Sequence, residues 1–310
     1  MEQALIEHTP MNTVEGAHAD SKSVFTVRFW GTRGSIATPS PETVRYGANT
    51  SCVEIRCGEY IFIFDCGTGV RELGIELANE FATRRLELHM FVSHTHWDHI
   101  QGFPFFGPAY KPGNTINIYS LQAPDRNLSK LFTGQMDLNY FPVTLEELLA
   151  DLNFYELASE VINIGPVRIT NMQLNHPGIS IAFRLECAGK SIVYMTDHEP
   201  YSTLLGESPR TRDLDKQVDA FAKDVDLYIR EAQYTDAEYL SKKGWGHSAL
   251  SDVVDSAVNA NVKKLALFHH DPMHHDIQID NMVQFCRDSI ETKGSSIEVF
   301  AANDKMTLTV

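Results

Sequence analysis

The chain has no long apolar run. No stretch of its 310 residues comes near the roughly 18 uninterrupted apolar positions of a membrane-spanning helix, so no membrane partner is expected. It is also short of positive charge: 26 Lys and Arg face 41 Asp and Glu, a formal net charge of −15, and no basic tract breaks the pattern. Such a surface repels polyanions at long range, which counts against a nonspecific nucleic-acid binder; a small anionic substrate stays open if cations neutralise it locally. Paired cysteines are missing too. Cys52, Cys57, Cys66, Cys187 and Cys286 are an odd five with no CxxC spacing, four of them in apolar runs, and they read as buried thiols in a reducing, cytoplasmic compartment. Met1 to Asp20 is polar and partly acidic, without the apolar segment of a signal peptide. Residues 1–22 hold few periodic apolar positions and read as a flexible N-terminal tail.

What is present, 43% hydrophobic and 22% charged residues, is the composition of a globular protein long enough for a large core. Alternating or continuous apolar runs predict strands at Val24–Trp30, Cys52–Arg56, Tyr60–Asp65, Leu86–Val92 and Ile116–Ser120 in the first half. The second half repeats the logic at Val167–Leu174, Ile179–Cys187, Ser191–Met195, Leu227–Glu231 and Leu265–Phe268, with Ile297–Phe300 and Met306–Val310 closing the chain. Helical spacing falls on Val70–Phe81, on Leu145–Leu152, on Ser248–Val258 with Ser248 as cap, and on Ile279–Ile290. No linker separates the halves, so residues 23–310 are expected to form one domain of two similar βα sheets.

The most informative stretch is Phe91-Val92-Ser93-His94-Thr95-His96-Trp97-Asp98-His99. An apolar strand end is followed by three histidines and an aspartate within six positions. His94 and His96, two apart on extended backbone, point to one side, and Asp98 and His99 reach the same point after the turn. Neutral imidazole and carboxylate are the ligands a borderline divalent cation accepts in open catalytic sites. Further strand ends deliver His176 in Asn175-His176-Pro177-Gly178, Asp197 in Thr196-Asp197, and the pair His269-His270. Asp65 ends a strand at Cys66-Gly67-Thr68-Gly69, where it either holds a ligand histidine by its other ring nitrogen or caps the turn.

His94-X-His96-X-Asp98-His99 is the His-X-His-X-Asp-His signature, and here the sequence resembles the metallo-β-lactamase superfamily. The resemblance implies an α/β fold, a four-layer αββα sandwich, with a metal centre of two divalent ions along one edge. It assigns His94 and His96 to the first metal, Asp98 and His99 to the second, His176 as a further ligand, Asp197 as the carboxylate bridging both, and His269 as the last ligand, with His270 as the neighbouring alternative. Zinc is the default for this donor set, with manganese or iron as replacements.

Two later stretches, Arg230-Glu231-Ala232-Gln233-Tyr234-Thr235 and Gly244-Trp245-Gly246-His247-Ser248-Ala249, are similar to motifs of the superfamily's phosphodiesterase branch, which includes tRNA 3′-processing endonucleases and cyclic-nucleotide phosphodiesterases. Carried over, Glu231 orients His247, His247 is the general acid that protonates the leaving oxygen, and Asp98 orients the nucleophile while also ligating. A positioned acid of this kind is typically worth about 10²–10⁴-fold. Gly31-Thr32-Arg33-Gly34-Ser35 looks like the opening loop of that branch, and Arg33 is the candidate substrate-binding residue, touching a phosphate oxygen or else bracing the loop. Three features depart from the pattern. Arg230 stands where the branch has histidine, Gln233 displaces threonine, and no long Gly/Pro-rich basic arm is present.

The expected protein is therefore a metal-dependent phosphodiesterase hydrolysing a small phosphodiester, a 3′,5′-cyclic nucleotide first, by attack of a metal-bridging hydroxide with a histidine general acid. A tRNA 3′-processing endonuclease and a lactone or thioester hydrolase on the same fold are the alternatives. A homodimer is expected on the ground of the resemblance alone.

Overall fold

The computed structural model describes residues 25–121, 127–158 and 161–310; the tail expected at residues 1–22 lies outside the described residues. Strands β1 (Phe25–Gly31), β2 (Cys52–Cys57), β3 (Tyr60–Phe64), β4 (Glu87–Phe91), β5 (Thr115–Leu121) and β6 (Asp151–Leu157) join β14 (Thr307–Thr309) in one seven-stranded sheet, ordered β14-β1-β2-β3-β4-β5-β6. Strands β7 (Ile162–Ile164), β8 (Val167–Leu174), β9 (Ser180–Cys187), β10 (Lys190–Met195), β11 (Leu227–Glu231), β12 (Lys264–Phe268) and β13 (Glu298–Ala301) form the second, ordered β13-β12-β11-β10-β9-β8-β7.

Three apolar clusters make the layers. Phe29, Val53, Phe64 and Phe91 of the first sheet pack against Phe183, Tyr194, Ile229 and Phe268 of the second, so the sheets meet face to face. The first sheet's outer face is covered by α1 (Val70–Glu80) and by α3 (Leu128–Gln135), which follows the single turn α2 (Trp97–Ile100). After the short α4 (Tyr201–Leu205) come α5 (Pro209–Phe221), α6 (Asp236–Lys242), α7 (Leu250–Asn259) and α8 (Asp276–Thr292); α5, α7 and α8 cover the second sheet's outer face. Helix α1 buries Val70, Leu73 and Leu77, the residues whose spacing predicted it, and stops at Phe81. This is the four-layer αββα sandwich, and among the described residues no helix is long and apolar enough to cross a membrane.

Chain direction explains why one edge collects the functional groups. Strands β3 to β6 run parallel, as do β10 to β13, while β9 is antiparallel to both β8 and β10. The carboxyl ends of β3, β4, β8, β10, β11 and β12 therefore open along one edge, where parallel sheets place ligands. Both faces of such strands are covered, which is why Leu227-Tyr228-Ile229-Arg230-Glu231 is buried throughout, charges included. A stacked row of rings crosses the first sheet beneath that edge: Phe64–Phe91 at 5.3 Å, Phe91–Tyr119 at 4.7 Å and Tyr119–Tyr155 at 4.8 Å. Each such pair contributes about 0.5–1.5 kcal/mol beyond its buried area, stiffening β4, the strand that leads into Ser93 and His94.

Two sequence expectations fail. Leu145–Leu152 is not a helix: a capping box between Thr144 and Glu147 holds one 3₁₀ turn, Leu145–Glu147, and the chain then extends into β6 beside β5. The alternation in Leu152, Phe154 and the stacking of Tyr155 outweigh the helical spacing there. Ser248 does not cap its helix either. The cap position is Ala249, and Ser248 instead donates its hydroxyl to the His198 carbonyl at 2.7 Å and accepts from Arg230 at 2.6 Å. The largely polar helices α5 and α6 escaped the apolar periodicity because each buries only one or two side chains, Thr211 and Val218 in α5 and Tyr239 in α6.

Candidate metal centre

Two groups of ligand atoms meet at the shared edge. In the first, His94 Nε2 lies 3.0 Å from His96 Nδ1, which is 3.0 Å from His176 Nε2; Asp197 Oδ2 is 3.4 Å from His94 Nε2 and 3.6 Å from His176 Nε2. In the second, Asp98 Oδ2 is 3.2 Å from His99 Nε2 and 3.0 Å from His269 Nε2, while Asp197 Oδ1 is 3.4 and 3.3 Å from the same two rings. Asp197 thus turns one oxygen to each group. The four clustered side chains expected from the first motif, with His176, Asp197 and His269, are all brought together. His270 faces elsewhere: its Nε2 bonds the Ala302 carbonyl at 3.0 Å and its ring packs on Tyr46.

The donor chemistry fits divalent cations. Each histidine that is held from behind turns Nε2 to the centre: His99 Nδ1 meets Asp65 Oδ2 at 2.7 Å, His176 Nδ1 donates to the Gly246 carbonyl at 2.9 Å, and His269 Nδ1 donates to Gln233 Oε1 at 2.8 Å. Such outer contacts fix tautomer and ring orientation. Asp65 is itself held by Tyr194 and by Ser93 N–H and hydroxyl, at 2.7, 2.7 and 2.8 Å. Three of these positions, Asp65, Asp197 and His269, sit at φ of 59°, 34° and 58°, left-handed backbone that non-glycine residues rarely adopt and that accumulates at functional sites.

Charge in the cluster follows the same logic. Burial pushes the His94 imidazole down to about 4 and lowers that of His96, leaving neutral rings with free lone pairs. Burial opposes ionisation of Asp98, yet His99 and His269 hold its carboxyl well below the usual range; Asp197 is depressed likewise by His269, His99 and His94. Burial works against a charged His99, but Asp98, Asp197 and Asp65 draw a proton onto it nonetheless. The carboxylates demand positive charge in a space lined by imidazoles.

His247 reaches the same space. It shares with Asp197 and His269 a set of ligand-type atoms lying within 4.8 Å of one another, and its ring stacks on His269 at 5.2 Å. The expected bond from Glu231 is absent: Glu231 Oε2 is 3.9 Å from His247 Nδ1, which is buried without a partner. Glu231 is committed instead to Arg230 at 3.0 Å and to Ser248 N–H at 2.7 Å, because an arginine at 230 supplies a cation beside it. Arg33 is likewise no phosphate contact here. Its side chain is fully buried and donates to the carbonyls of Gly47, Asp271 and His274, bracing the loop that presents Ser35 N–H to Asp98 Oδ2 at 2.7 Å.

Sequence reasoning missed Glu199. Buried two residues after Asp197, it accepts from Tyr239 OH at 2.5 Å and from the N–H groups of Gly244 and Gly246 at 2.8 and 2.9 Å. It therefore pins the loop whose Gly246 carbonyl orients His176 and whose next residue is His247. Gly246 has φ +87° and a Cβ there would overlap the His176 ring, so only glycine suits. A carboxylate following so closely on a strand-end aspartate was the available signal. Gln233, noted only as a departure, has a definite task in holding His269.

The sandwich and this ligand set define a metallo-hydrolase of the αββα type. A family model described as "Beta-lactamase superfamily domain" matches residues 60–270, and the chain belongs to that superfamily, the metallo-β-lactamases. Among curated relatives, Ribonuclease Z of Picrophilus torridus is 22% identical over 83% of this chain and 89% of its own length. Among solved structures, human tRNase Z, short form, has a TM-score of 0.60 at 21% identity, covering 91% of this chain and 98% of that one. Unliganded yeast PDE1 has a TM-score of 0.67 at 13% identity, covering 93% and 100%. The likeness lies with the phosphodiesterase branch, as the two later motifs implied.

Proposed function

We propose that this metallo-hydrolase cleaves RNA phosphodiesters in the manner of tRNA 3′-end processing. His94, His96, His176 and Asp197 would hold one divalent ion, and Asp98, His99, His269 and Asp197 a second, with zinc as the default and manganese or iron as replacements. When bound, such a pair supplies Lewis acidity to the phosphoryl oxygens and a water that ionises near neutral pH. The protein's own residues do the rest. Asp98, anchored by Ser35 N–H, orients the nucleophile. His247, with Nδ1 turned toward Glu231 and 3.9 Å from it, carries the proton on Nε2 and hands it to the leaving oxygen. Glu231 keeps its charge paired with Arg230 and holds the Ser248 N–H beside that ring, while burial pushes the His247 imidazole well below its usual range, and the five free, buried thiols suit a reducing, cytoplasmic setting.

The observation that carries the phosphodiester reading is His247 itself, buried beside Asp197 and His269 on a loop tied down by Glu199. A thioester hydrolase on this fold, whose thiolate leaves without a proton, has no use for an acid there. The names of the relatives, Ribonuclease Z and tRNase Z, support RNA as the substrate class. This reverses the order expected from the sequence, which put a 3′,5′-cyclic nucleotide or similar small phosphodiester first; that reading is still favoured by one observation, the formal charge of −15, which repels a large polyanion. Incubating the metal-loaded protein with a 3′-extended tRNA and with cyclic AMP separates the two. Cleavage of the tRNA is expected; turnover of cyclic AMP with the tRNA left whole reverses the order. His247→Ala should slow whichever alkoxide is released by about 10²–10⁴-fold. An unchanged rate would remove the phosphodiesterase assignment altogether.

A further inference from the structure

We propose that Trp245 and Lys242 form the subsite for the nucleoside on the leaving-oxygen side of the scissile bond, the indole taking a nucleobase face and the ammonium the next phosphate. This rests on the RNA reading above and deepens it.

The run Lys242-Lys243-Gly244-Trp245-Gly246-His247 leads from the end of α6 to the proton donor. Glu199 binds the N–H groups on both sides of Trp245, at Gly244 and Gly246, and both glycines have φ +87°, so the loop has one defined path. On that path Gly246 and His247 are buried while Trp245 is 57% exposed. A large ring held out in water by a pinned loop adds nothing to the core, and a fixed aromatic face is what an unpaired base stacks on.

A second observation gives the direction. The Lys242 ammonium stands 4.2 Å from the Trp245 ring centroid and 5.9 Å from that of Tyr234, and the Tyr234 ring meets the His247 ring edge-on at 5.7 Å. His247, Tyr234, Lys242 and Trp245 are thus a continuous row running outward from the acid. Tyr234 is the buried middle of that row and Trp245 its exposed end, so the group bonded to the oxygen that His247 protonates meets the row at Trp245 and Lys242, where it reaches solvent. In RNA that group is a nucleoside followed by another phosphate, which matches an aromatic face and a cation. In a cyclic mononucleotide the leaving oxygen stays on the same ribose and no further phosphate follows, leaving the lysine without a partner. The row also answers the charge problem, since it puts a cation at the lip of the site in a chain of net charge −15.

The chain has three tryptophans, and Trp30 is buried, so a metal-loaded Trp97→Phe protein reports on Trp245 by fluorescence. Titration with a phosphorothioate oligoribonucleotide, which resists cleavage, should quench that emission saturably, and the quench should vanish when Trp245→Phe is added. Lys242→Gln should lower the salt dependence of binding by about one phosphate contact. Emission unaltered by the oligonucleotide, whether or not it binds, overturns the subsite. In turnover of a 3′-extended tRNA, Trp245→Ala should raise KM about tenfold with kcat nearly constant and with wild-type melting temperature and metal content. A tRNA-cleaving enzyme indifferent to Trp245→Ala sinks the subsite and keeps the RNA reading. Quenching of Trp245 in a protein that leaves tRNA whole sinks the RNA reading and, with it, the assignment of that aromatic face to a leaving nucleoside.

Discussion

Glu199→Gln is the substitution that asks most of the structure. Glu199 uses Oε1 for Tyr239 OH and Gly244 N–H, and Oε2 for Gly246 N–H. An amide can keep the two bonds to one oxygen only by setting its NH₂ against the N–H of Gly246, donor facing donor. One hydrogen bond to a charged acceptor is then lost and a buried N–H is stranded, which costs about 2–3 kcal/mol. For a protein of this size the melting temperature should fall by roughly 3–5 °C. The larger consequence is local. Gly246 holds His176 through its carbonyl and precedes His247, so a relaxed loop moves a metal ligand and the acid together. Since a displacement near 1 Å can cost about 10²-fold, turnover of a substrate with an alkoxide leaving group should drop on the order of 10–100-fold. A p-nitrophenyl ester, whose leaving group needs no acid, should lose less. The assay is a thermal melt with steady-state kinetics on both substrates, and Tyr239→Phe, which removes a single bond, serves as the milder comparison. If Glu199→Gln melts within about 1 °C of the wild type and slows both substrates equally, the loop is not held as described.

Asp65→Ala frees His99 Nδ1 and should weaken metal binding about 10–100-fold, read by competition with a chromogenic chelator. Gly34→Ala should disturb the Asp98, His99 and His269 group selectively, because a Cβ there overlaps the His269 ring; metal analysis should find close to one ion per chain lost while the first group keeps its own. Burial raises the Asp304 carboxyl from 3.8 to about 6, so its favourable contribution is full below about pH 4 and disappears as pH rises through 6. That difference is on the order of 3 kcal/mol, and Asp304→Asn should gain stability relative to wild type between pH 4 and pH 7 in calorimetry. A flat difference across that range would show that Asp304 titrates as it does in the unfolded chain.

Much of the centre was legible because its signals are local. His94, His96, Asp98 and His99 follow one apolar strand, and His176, Asp197 and His269 each end another, so residue type and position at a strand exit marked them before any contact was known. The sandwich followed from two similar sets of strands and helices on one chain. What the linear order left open were relations between distant segments. The choice of His269 over His270 depends on a left-handed residue at 269 that sends one ring to Asp98 and the other to Ala302. Arg33 became a brace because Asp271 and His274, far along the chain, offer it carbonyls. Strand 151–157 was hidden because its pairing with β5 is set by tertiary neighbours, whereas helical spacing can be read within a few residues.

The amino-acid sequence by itself determined which side chains could bind cations and at which strand ends they would stand, since strand periodicity and ligand chemistry are properties of short segments. Only the tertiary structure decided how Asp197 divides its oxygens, that Glu199 ties His176 to His247, and that Glu231 answers first to Arg230. Hydrogen bonds within about 3 Å select among partners that lie tens of residues apart, and no local pattern carries that information.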